Sequence, residues 1–298
     1  MDLNGIILKG VPLLTLYPGN VYWVDSCGGG GSVGSFVKPV ASIATAMGLC
    51  TTSNGDIIIC KPGHIEYISE AADLVCDKAD VAIIGTGFGG NQSKIVFDTA
   101  DTADIDITAS NVAFCNLWIY INFANVDGCF DVAATGTYFT MQGCRWTGGS
   151  ATLDIEEGIN LAAAANFFSF INNDVRLLTA GDTESLVFTT GECVDMTVTG
   201  NTIIMPASTA IFDVNATAIT GAPVFKDNVM VNLATDTGQC VDVNAATVAV
   251  FSNERYACNK SNTVPVKTLT ASYCVRCYGV ELPAVSSLIW PATATAWT

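Results

Sequence analysis

The chain has 298 residues, of which 50% are hydrophobic and 13% are charged, and its formal net charge is -16 at pH 7. This length allows two ordinary domains or one elongated domain of repeated units, and the apolar content excludes a disordered chain. The excess of acidic residues repels phosphate backbones and anionic lipid headgroups, which argues against nucleic acid as a direct partner.

Residues 1–20 form an apolar and almost uncharged segment that contains Leu13, Leu14, Leu16 and Tyr17. Such a segment cannot fold alone and is too hydrophobic to stay solvated, so we predict an arm that binds a partner or another copy of the chain. The first residues are acidic where a secretory signal is basic, which predicts synthesis in the cytoplasm. No apolar run reaches the length of about 18 residues that a membrane helix needs, so no membrane insertion is expected.

A glycine motif follows an apolar strand-like run at residues 80–87. Gly85-Thr86-Gly87-Phe88-Gly89-Gly90 has the GxGxxG spacing of a dinucleotide site, but the next residues predict a loop and a strand. Without a helix there is no helix N-terminus for a pyrophosphate, so we interpret the motif as a turn and predict no cofactor.

A repeat of about 27 residues organises the centre of the chain. The first repeated feature is a three-residue unit in which two apolar residues flank a middle residue that points outward. The middle residues of successive units form a column and are 25 to 29 residues apart in sequence. The members are Ile105-Asp106-Ile107, Phe130-Asp131-Val132, Ile159-Asn160-Leu161, Leu186-Val187-Phe188, Phe212-Asp213-Val214, Val241-Asp242-Val243 and Lys267-Thr268-Leu269. The second column is mostly asparagine, which suits a left-handed bend whose amide bonds the next coil. Its members are Asn116, Cys144, Asn173, Asn201, Asn228 and Asn253.

This period, with β-branched and aromatic residues and no helical pattern, predicts a β-solenoid. The leucine frame of a leucine-rich repeat of similar length is absent. We therefore expect a core that contains Phe130, Phe170, Phe188, Phe212 and Phe225.

The entry to the repeats carries a resemblance to a known family. Val21-Tyr22-Trp23-Val24-Asp25, the glycine run at 28–31, residues 39–46 and Gly55-Asp56-Ile57-Ile58-Ile59-Cys60-Lys61-Pro62-Gly63-His64 resemble the capping segment of the pectate-lyase-like superfamily. The resemblance implies an all-β fold: a single-stranded right-handed parallel β-helix of about seven to eight coils, whose N-terminal cap contains a short helix. It divides the chain into an arm (1–20), a capping segment (21–79), the β-helix (80–278) and a C-terminal tail (279–298).

Candidate catalytic residues are weighed against that architecture. His64 is the sole histidine of the sequence, and the resemblance places it in the cap, away from the groove where such enzymes bind sugars, which favours a structural role. The polygalacturonase-type motifs are absent. A lyase would need clustered acids and a basic residue, and Arg145, Arg176, Lys226 and Arg255 are scattered one per coil.

Four aspartates of the first column are candidate metal ligands: Asp106, Asp131, Asp213 and Asp242. Aspartates on successive coils would stand about 4.8 Å apart and repel each other by about 3.5 kcal/mol at an effective dielectric of 20. Either they stay solvated and separate, or a cation or a basic partner neutralises them. The twelve cysteines are interpreted as mostly free, buried thiols, because a chain of this size needs no disulfide staples.

The tail, residues 279–298, is apolar and almost uncharged, like the arm, and contains Trp290 and Trp297. A solenoid with two apolar arms and no catalytic motif is most like a non-enzymatic bacteriophage virion component, either a capsid decoration (cement) protein or a tail spike or fibre module. We expect a major capsid or tail protein as its partner, self-association into a homo-oligomer such as a trimer, and contact with a host surface glycan as a further option. The alternatives are a β-helix that binds or degrades polysaccharide, and a cell-surface adhesin.

Overall fold

The computed structural model describes residues 19–28, 30–150, 153–178, 183–214, 221–234, 238–243 and 249–258 in full, together with the backbone of five short strands outside those ranges. Two of these strands, Ile7–Leu8 and Val11–Pro12, pair antiparallel with each other. The predicted arm and tail residues Leu13, Leu14, Leu16, Tyr17, Trp290 and Trp297 lie outside the described residues. The described helices are too short to cross a membrane.

The chain winds through three parallel sheets in turn, so that each coil adds one strand to every sheet. The first sheet contains Val21–Val24, Ile57–Cys60, Ala82–Gly85, Ala113–Cys115, Thr140–Gln142, Phe168–Ile171, Met196–Thr199, Val224–Lys226, Val250–Ser252 and Tyr273–Val275. The second contains Ile65–Ile68, Lys94–Phe97, Trp118–Ile121, Arg145–Gly148, Asp174–Arg176, Thr202–Met205, Val229–Asn232, Arg255–Cys258 and Tyr278–Glu281. The third contains Leu74–Cys76, Ile105–Ile107, Val126–Val132, Ile155–Leu161, Ser185–Thr189, Ala210–Val214, Gln239–Val243 and Val266–Thr268.

This topology confirms the all-β solenoid predicted from the repeats. The third sheet has eight strands, so eight coils of the described chain contribute to all three sheets. The first of these coils begins at Ile57, within the segment that the sequence assigned to the cap, and the last second-sheet strand, Tyr278–Glu281, reaches into the predicted tail.

The N-terminal cap contains the expected short helix, Ile43–Leu49. Ser42 caps it by accepting a hydrogen bond from the Thr45 amide at 3.1 Å, which is the usual role of a serine at this position. Ile43, Ala46 and Met47 are buried, so the helix covers the open end of the core. Such a cover protects strand edges that would otherwise pair with other chains.

Aromatic side chains fill the interior of the solenoid, as predicted. Phe130, Phe170, Phe212 and Phe225 are fully buried, and the Phe212 ring lies 6.0 Å from Phe170 and 5.5 Å from Phe225. The prediction for Phe188 is wrong. Val187 pairs with Phe212 and Phe188 with Asp213, so Phe188 faces outward. The alternation of apolar and polar residues gives no direction here, because Leu186, Val187 and Phe188 are all apolar and do not reveal which of them points inward.

The asparagine column consists of two adjacent columns. Asn173, Asn201 and Asn228 are buried, and each side-chain oxygen accepts the backbone N–H of the equivalent residue one coil earlier, at 2.8 to 2.9 Å. The left-handed residues stand one position before them. They are Asn116, Gly143, Asn172, Gly200, Asp227 and Asn253. The amide ladder is therefore confirmed, whereas the left-handed conformation is confirmed only at Asn116 and Asn253.

Candidate functional site

The outer face of the third sheet carries the acidic column predicted from the sequence. Asp106 and Asp131 pair in register, as do Asp213 and Asp242. The side chains on either side of Asp106, Ile105 and Ile107, are fully buried, so the alternation of the strand directs the aspartate outward. The two aspartate pairs are separated by Asn160 and by Phe188, which takes the place that the sequence assigned to Val187.

A bulge in the strand Val126–Val132 gathers further carboxylates beside the first pair. The register shifts on both sides of Asp127, and Gly128 adopts a φ of +81°. A Cβ atom at Gly128 would lie 2.9 Å from Asp131 Oδ1 and 2.7 Å from Asn160 Nδ2, so glycine lets both side chains lie against the backbone. The bulge therefore shapes this part of the outer face.

Three carboxylates converge next to this bulge. Oxygen atoms of Asp104, Asp106 and Asp131 all lie within 4.8 Å of one another. We call these three residues, with Glu157 and Asn160, the carboxylate cluster. Oδ1 of Asp131 and Oδ1 of Asn160 are buried and accept no hydrogen bond within the described part of the chain. These oxygens are available to a cation or to the hydroxyl group of a ligand.

The environment of the cluster favours protonated carboxyl groups. Partial burial, followed by the charges of Asp104, Asp106 and Asp127, raises the pKa of Asp131 to about 6. Partial burial, followed by the charge of Asp127, raises the pKa of Glu157 to about 7. The pKa of Asp104 is also raised, chiefly by burial. Near neutral pH, Asp131 and Glu157 can thus hold or release a proton, which is what a general acid or base requires.

Sequence reasoning found two of the four carboxyl groups in this cluster. It identified Asp106 and Asp131 as candidate metal ligands, and the structure brings them together. It missed Asp104 and also Glu157, which lies in the strand Ile155–Leu161. The sequence signal for the bulge is Gly128, which lies between Asp127 and Asp131 in a predicted strand, because a glycine within a strand often marks a bulge.

Among the residues that the structure describes, the basic side chains lie apart from the carboxylate cluster. Lys94, Trp118 and Arg145 are neighbours in one outward column of the second sheet. The Lys94 ammonium lies 4.1 Å and the Arg145 guanidinium 4.5 Å from the centroid of the Trp118 ring. Arg176 instead forms an ion pair with Asp174 at 2.9 Å. Of the scattered basic residues named from the sequence, Arg145 therefore belongs to a cation–aromatic stack, which lies on a different sheet from the carboxylate cluster.

His64 links three parts of the cap, as its predicted structural role requires. It is buried, and its Nδ1 accepts the Ser26 N–H at 3.0 Å while Nε2 lies 3.0 Å from Glu66 Oε2. The same Glu66 oxygen accepts the Ile43 N–H at the start of the helix. These bonds hold the first coil, the entry loop and the helix together.

The glycine motif at 85–90 forms a turn, as predicted. A three-residue 3-10 helix, Gly89–Asn91, begins within the motif, and the chain then enters the strand Lys94–Phe97. A single short turn offers no helix N-terminus to a dinucleotide.

Most of the exposed large hydrophobic side chains in the described part of the chain lie near the N-terminal end of the solenoid. Eight large hydrophobic side chains are exposed in the described chain, and six of them belong to the cap and the first two coils. These six are Val33, Phe36, Val37, Tyr67, Val75 and Phe88, and Val37 and Phe88 are more than 80% exposed. We call these six residues the N-terminal apolar patch. Tyr67 and Val75 lie in strands of different sheets, so these residues belong to more than one face of this end. Exposed apolar side chains in such number are typical of a contact region.

Comparisons with known proteins support the fold and go no further. No family model matches the chain, and no curated protein matches it. The crystal structure of pectate lyase Pel9A aligns with a TM-score of 0.52 at 10% sequence identity, over 92% of this chain and 80% of that chain. The protein is thus a right-handed parallel β-helix resembling pectate lyase, and at this identity the likeness concerns the fold alone.

Proposed function

We propose that the protein is a non-enzymatic structural component of a bacteriophage virion, a capsid decoration protein or a tail spike or fibre module that attaches through its N-terminal end. The observation that carries the proposal is the N-terminal apolar patch, because six of the eight exposed large hydrophobic side chains in the described part of the chain belong to the cap and the first two coils. A rod that is held at one end suits a projection from a larger assembly. In this proposal the chain is made in the host cytoplasm and joins a major capsid or tail protein.

The chemistry of the patch fits a protein partner. Phe36 packs edge-on against Trp23 at 4.9 Å between ring centroids and under the Lys61 ammonium at 4.8 Å, yet half of its surface remains exposed. Aromatic anchors that are already held in place lose little entropy on binding. The neighbouring Val37 adds aliphatic surface.

The experiment is co-sedimentation of the full chain with capsid or tail proteins encoded beside it. Changing Phe36, Val37 and Phe88 to serine should abolish co-sedimentation while the circular dichroism spectrum is unchanged. The matched control changes Tyr138 and Leu178 to serine, since both are exposed but lie outside the patch. Equal loss in both variants, or no loss in either, would contradict attachment through this end.

A second function, polysaccharide binding or cleavage, is favoured by the carboxylate cluster. One carboxyl group with a raised pKa beside others that stay ionised is the arrangement that glycoside hydrolysis uses, and cation-assisted elimination uses clustered acids. Asp131 and Glu157 supply carboxyl groups with a raised pKa, of about 6 and about 7.

Turnover decides between the two functions. The chain is incubated with capsular and pectic polysaccharides, with and without Ca²⁺, and new reducing ends and unsaturated products are measured. Activity lost in Asp131→Asn but kept in Asp227→Asn, an exposed control, would establish the enzyme and contradict the structural proposal. Binding without turnover, with the same dependence on Asp131, would instead indicate a glycan-binding spike.

A further inference from the structure

Two buried cysteines from successive coils face each other near the C-terminal end of the described solenoid. Cys240 lies in the strand Gln239–Val243, and Cys258 ends the strand Arg255–Cys258. Their sulfur atoms are 3.8 Å apart. The sequence contains no sign of this pair, because a separation of 18 residues differs from the coil period and cysteine pairing cannot be read from sequence alone.

The two thiols differ in reactivity. A hydrogen bond from Cys240 lowers the pKa of Cys258, whereas burial raises the pKa of Cys240 well above its ordinary value. Cys258 is also the more exposed of the two, at 7% against 0%. Because the thiolate is the reactive form, Cys258 is the expected nucleophile and Cys240 the second thiol to react.

We propose that Cys240 and Cys258 are a latent disulfide site, which closes when the folded chain meets a small disulfide oxidant such as oxidised glutathione. The reduced pair is the form made in a reducing cytoplasm, and the oxidised pair is the form expected outside the cell. The bond would join the third-sheet strand of one coil to the second-sheet strand of the next.

The reaction has two exchange steps. The Cys258 thiolate attacks one sulfur of oxidised glutathione, which forms a mixed disulfide and releases one glutathione thiolate that takes up a proton. Cys240 then loses its proton and attacks Cys258 Sγ, which releases the second glutathione. The protein loses two protons and two electrons, and the oxidant gains them and becomes two thiols.

The site suits a short movement of side chains. The Cys240 sulfur also lies 3.5 Å from the Ala257 carbonyl oxygen and 3.7 Å from that of Met230, so it sits between the two second-sheet strands that flank it. Disulfide formation requires the sulfur atoms to approach from 3.8 Å to about 2.05 Å. The disulfide would also lower the conformational entropy of the unfolded chain in the last described coils. This stabilises the folded state of those coils.

The test treats the full native chain with oxidised glutathione, blocks remaining thiols after denaturation, and maps the peptides by mass spectrometry. We expect a cross-linked peptide pair containing Cys240 and Cys258, about 2 Da lighter than the reduced pair. The midpoint of thermal unfolding should rise, and a reductant should reverse both changes. Cys27, which is exposed, should form a glutathione adduct and shows that the oxidant was active.

Three serine variants distinguish the mechanism from general oxidation. Cys240→Ser should stop at a glutathione adduct on Cys258, and Cys258→Ser should leave Cys240 unmodified. Cys129→Ser, which changes a buried thiol at the equivalent position of another coil, should cross-link as the parent does. The proposal is overturned if Cys27 is modified while Cys240 and Cys258 stay reduced, or if the cross-link forms only in denaturant.

Discussion

At the residue scale, the interior phenylalanines are the positions where the sequence was most informative. Phe170 is fully buried between Phe168 and Phe212, with ring centroids 6.3 and 6.0 Å away. Phe170→Ala should therefore lower the free energy of unfolding by about 3 to 5 kcal/mol, because it leaves a cavity in a packed core. Urea unfolding followed by circular dichroism measures this. Leu178→Ala, at an exposed site, should change stability by less than about 0.5 kcal/mol.

The carboxylate cluster makes stability depend on pH in a definite direction. The pKa values of Asp131 and Glu157 are raised to about 6 and about 7, so the native state binds these protons more tightly than the unfolded state does. Their stabilising contribution is complete below about pH 4, near the unfolded values. It is lost as the pH rises through 6 and 7.

The corresponding measurement is the free energy of unfolding across this pH range for Asp131→Asn and Glu157→Gln. Each variant should flatten the decline between pH 4 and 8, and each should be more stable than the parent at pH 8, where it removes a repelled charge. Asp227→Asn is the exposed control. A parent whose stability rises between pH 5 and 8 through these residues would contradict the raised values.

The residue scale also shows where sequence reasoning stops. Alternation identified Asp106 and Asp131 as outward residues, because each stands between two buried apolar residues. It could not find Asp104, which joins them only through the folded geometry, nor orient Phe188 within an apolar run. The direction of a side chain is fixed there by pairing with the neighbouring coils, which the local pattern does not contain.

At the element scale, the asparagine ladder stabilises the turn between the first and second sheets. Asn201 accepts the Asn173 N–H, and its Nδ2 donates to the Phe170 carbonyl oxygen at 2.8 Å. Asn201→Ala leaves these buried groups without partners, and each such group costs about 1 to 3 kcal/mol. We expect a loss of at least about 2 kcal/mol in urea unfolding. Asn172→Gly is the matched control, because this neighbour is exposed and left-handed with a φ of 54°.

The ladder illustrates how far a repeat predicts its own geometry. The period of the asparagines predicted coil-to-coil amide bonds, and those bonds exist. The pattern merged two adjacent columns, because Asn116 and Asn253 occupy the left-handed column while Asn173, Asn201 and Asn228 occupy the buried one. At the C-terminal end of the described ladder, Glu254 takes the buried position, where its Oε1 accepts the Asn228 N–H at 3.0 Å. A carboxylate that replaces an amide in this role has no signature in the asparagine spacing.

At the scale of the whole molecule, each coil contacts mainly its two neighbours, so the solenoid is nearly one-dimensional. A solenoid of this kind tolerates the loss of a terminal segment if the strand edges at the remaining end stay covered by other residues. The structure places residues 19 and 20 in the solenoid, because Asn20 donates its N–H to Asp56 Oδ1 at 2.6 Å and accepts the Ile57 N–H at 2.8 Å. The N-terminal arm of 1–20 should therefore be tested by a deletion that ends at residue 18.

Deleting residues 1–18 should leave a folded, β-rich protein that no longer joins its particle or oligomer. The helix Ile43–Leu49 and the strand Val21–Val24 still cover the first coil, so the core should survive, whereas the apolar arm contributes to assembly in our proposal. Circular dichroism and thermal unfolding monitor the fold, and light scattering with co-sedimentation monitors assembly. Removal of residues 282–298 is the companion variant, which tests the tail separately.

If the chain without residues 1–18 assembles normally, the arm is not the contact. If that chain instead loses its cooperative unfolding, the arm belongs to the body of the solenoid, and the N-terminal apolar patch alone becomes the surface to test for attachment.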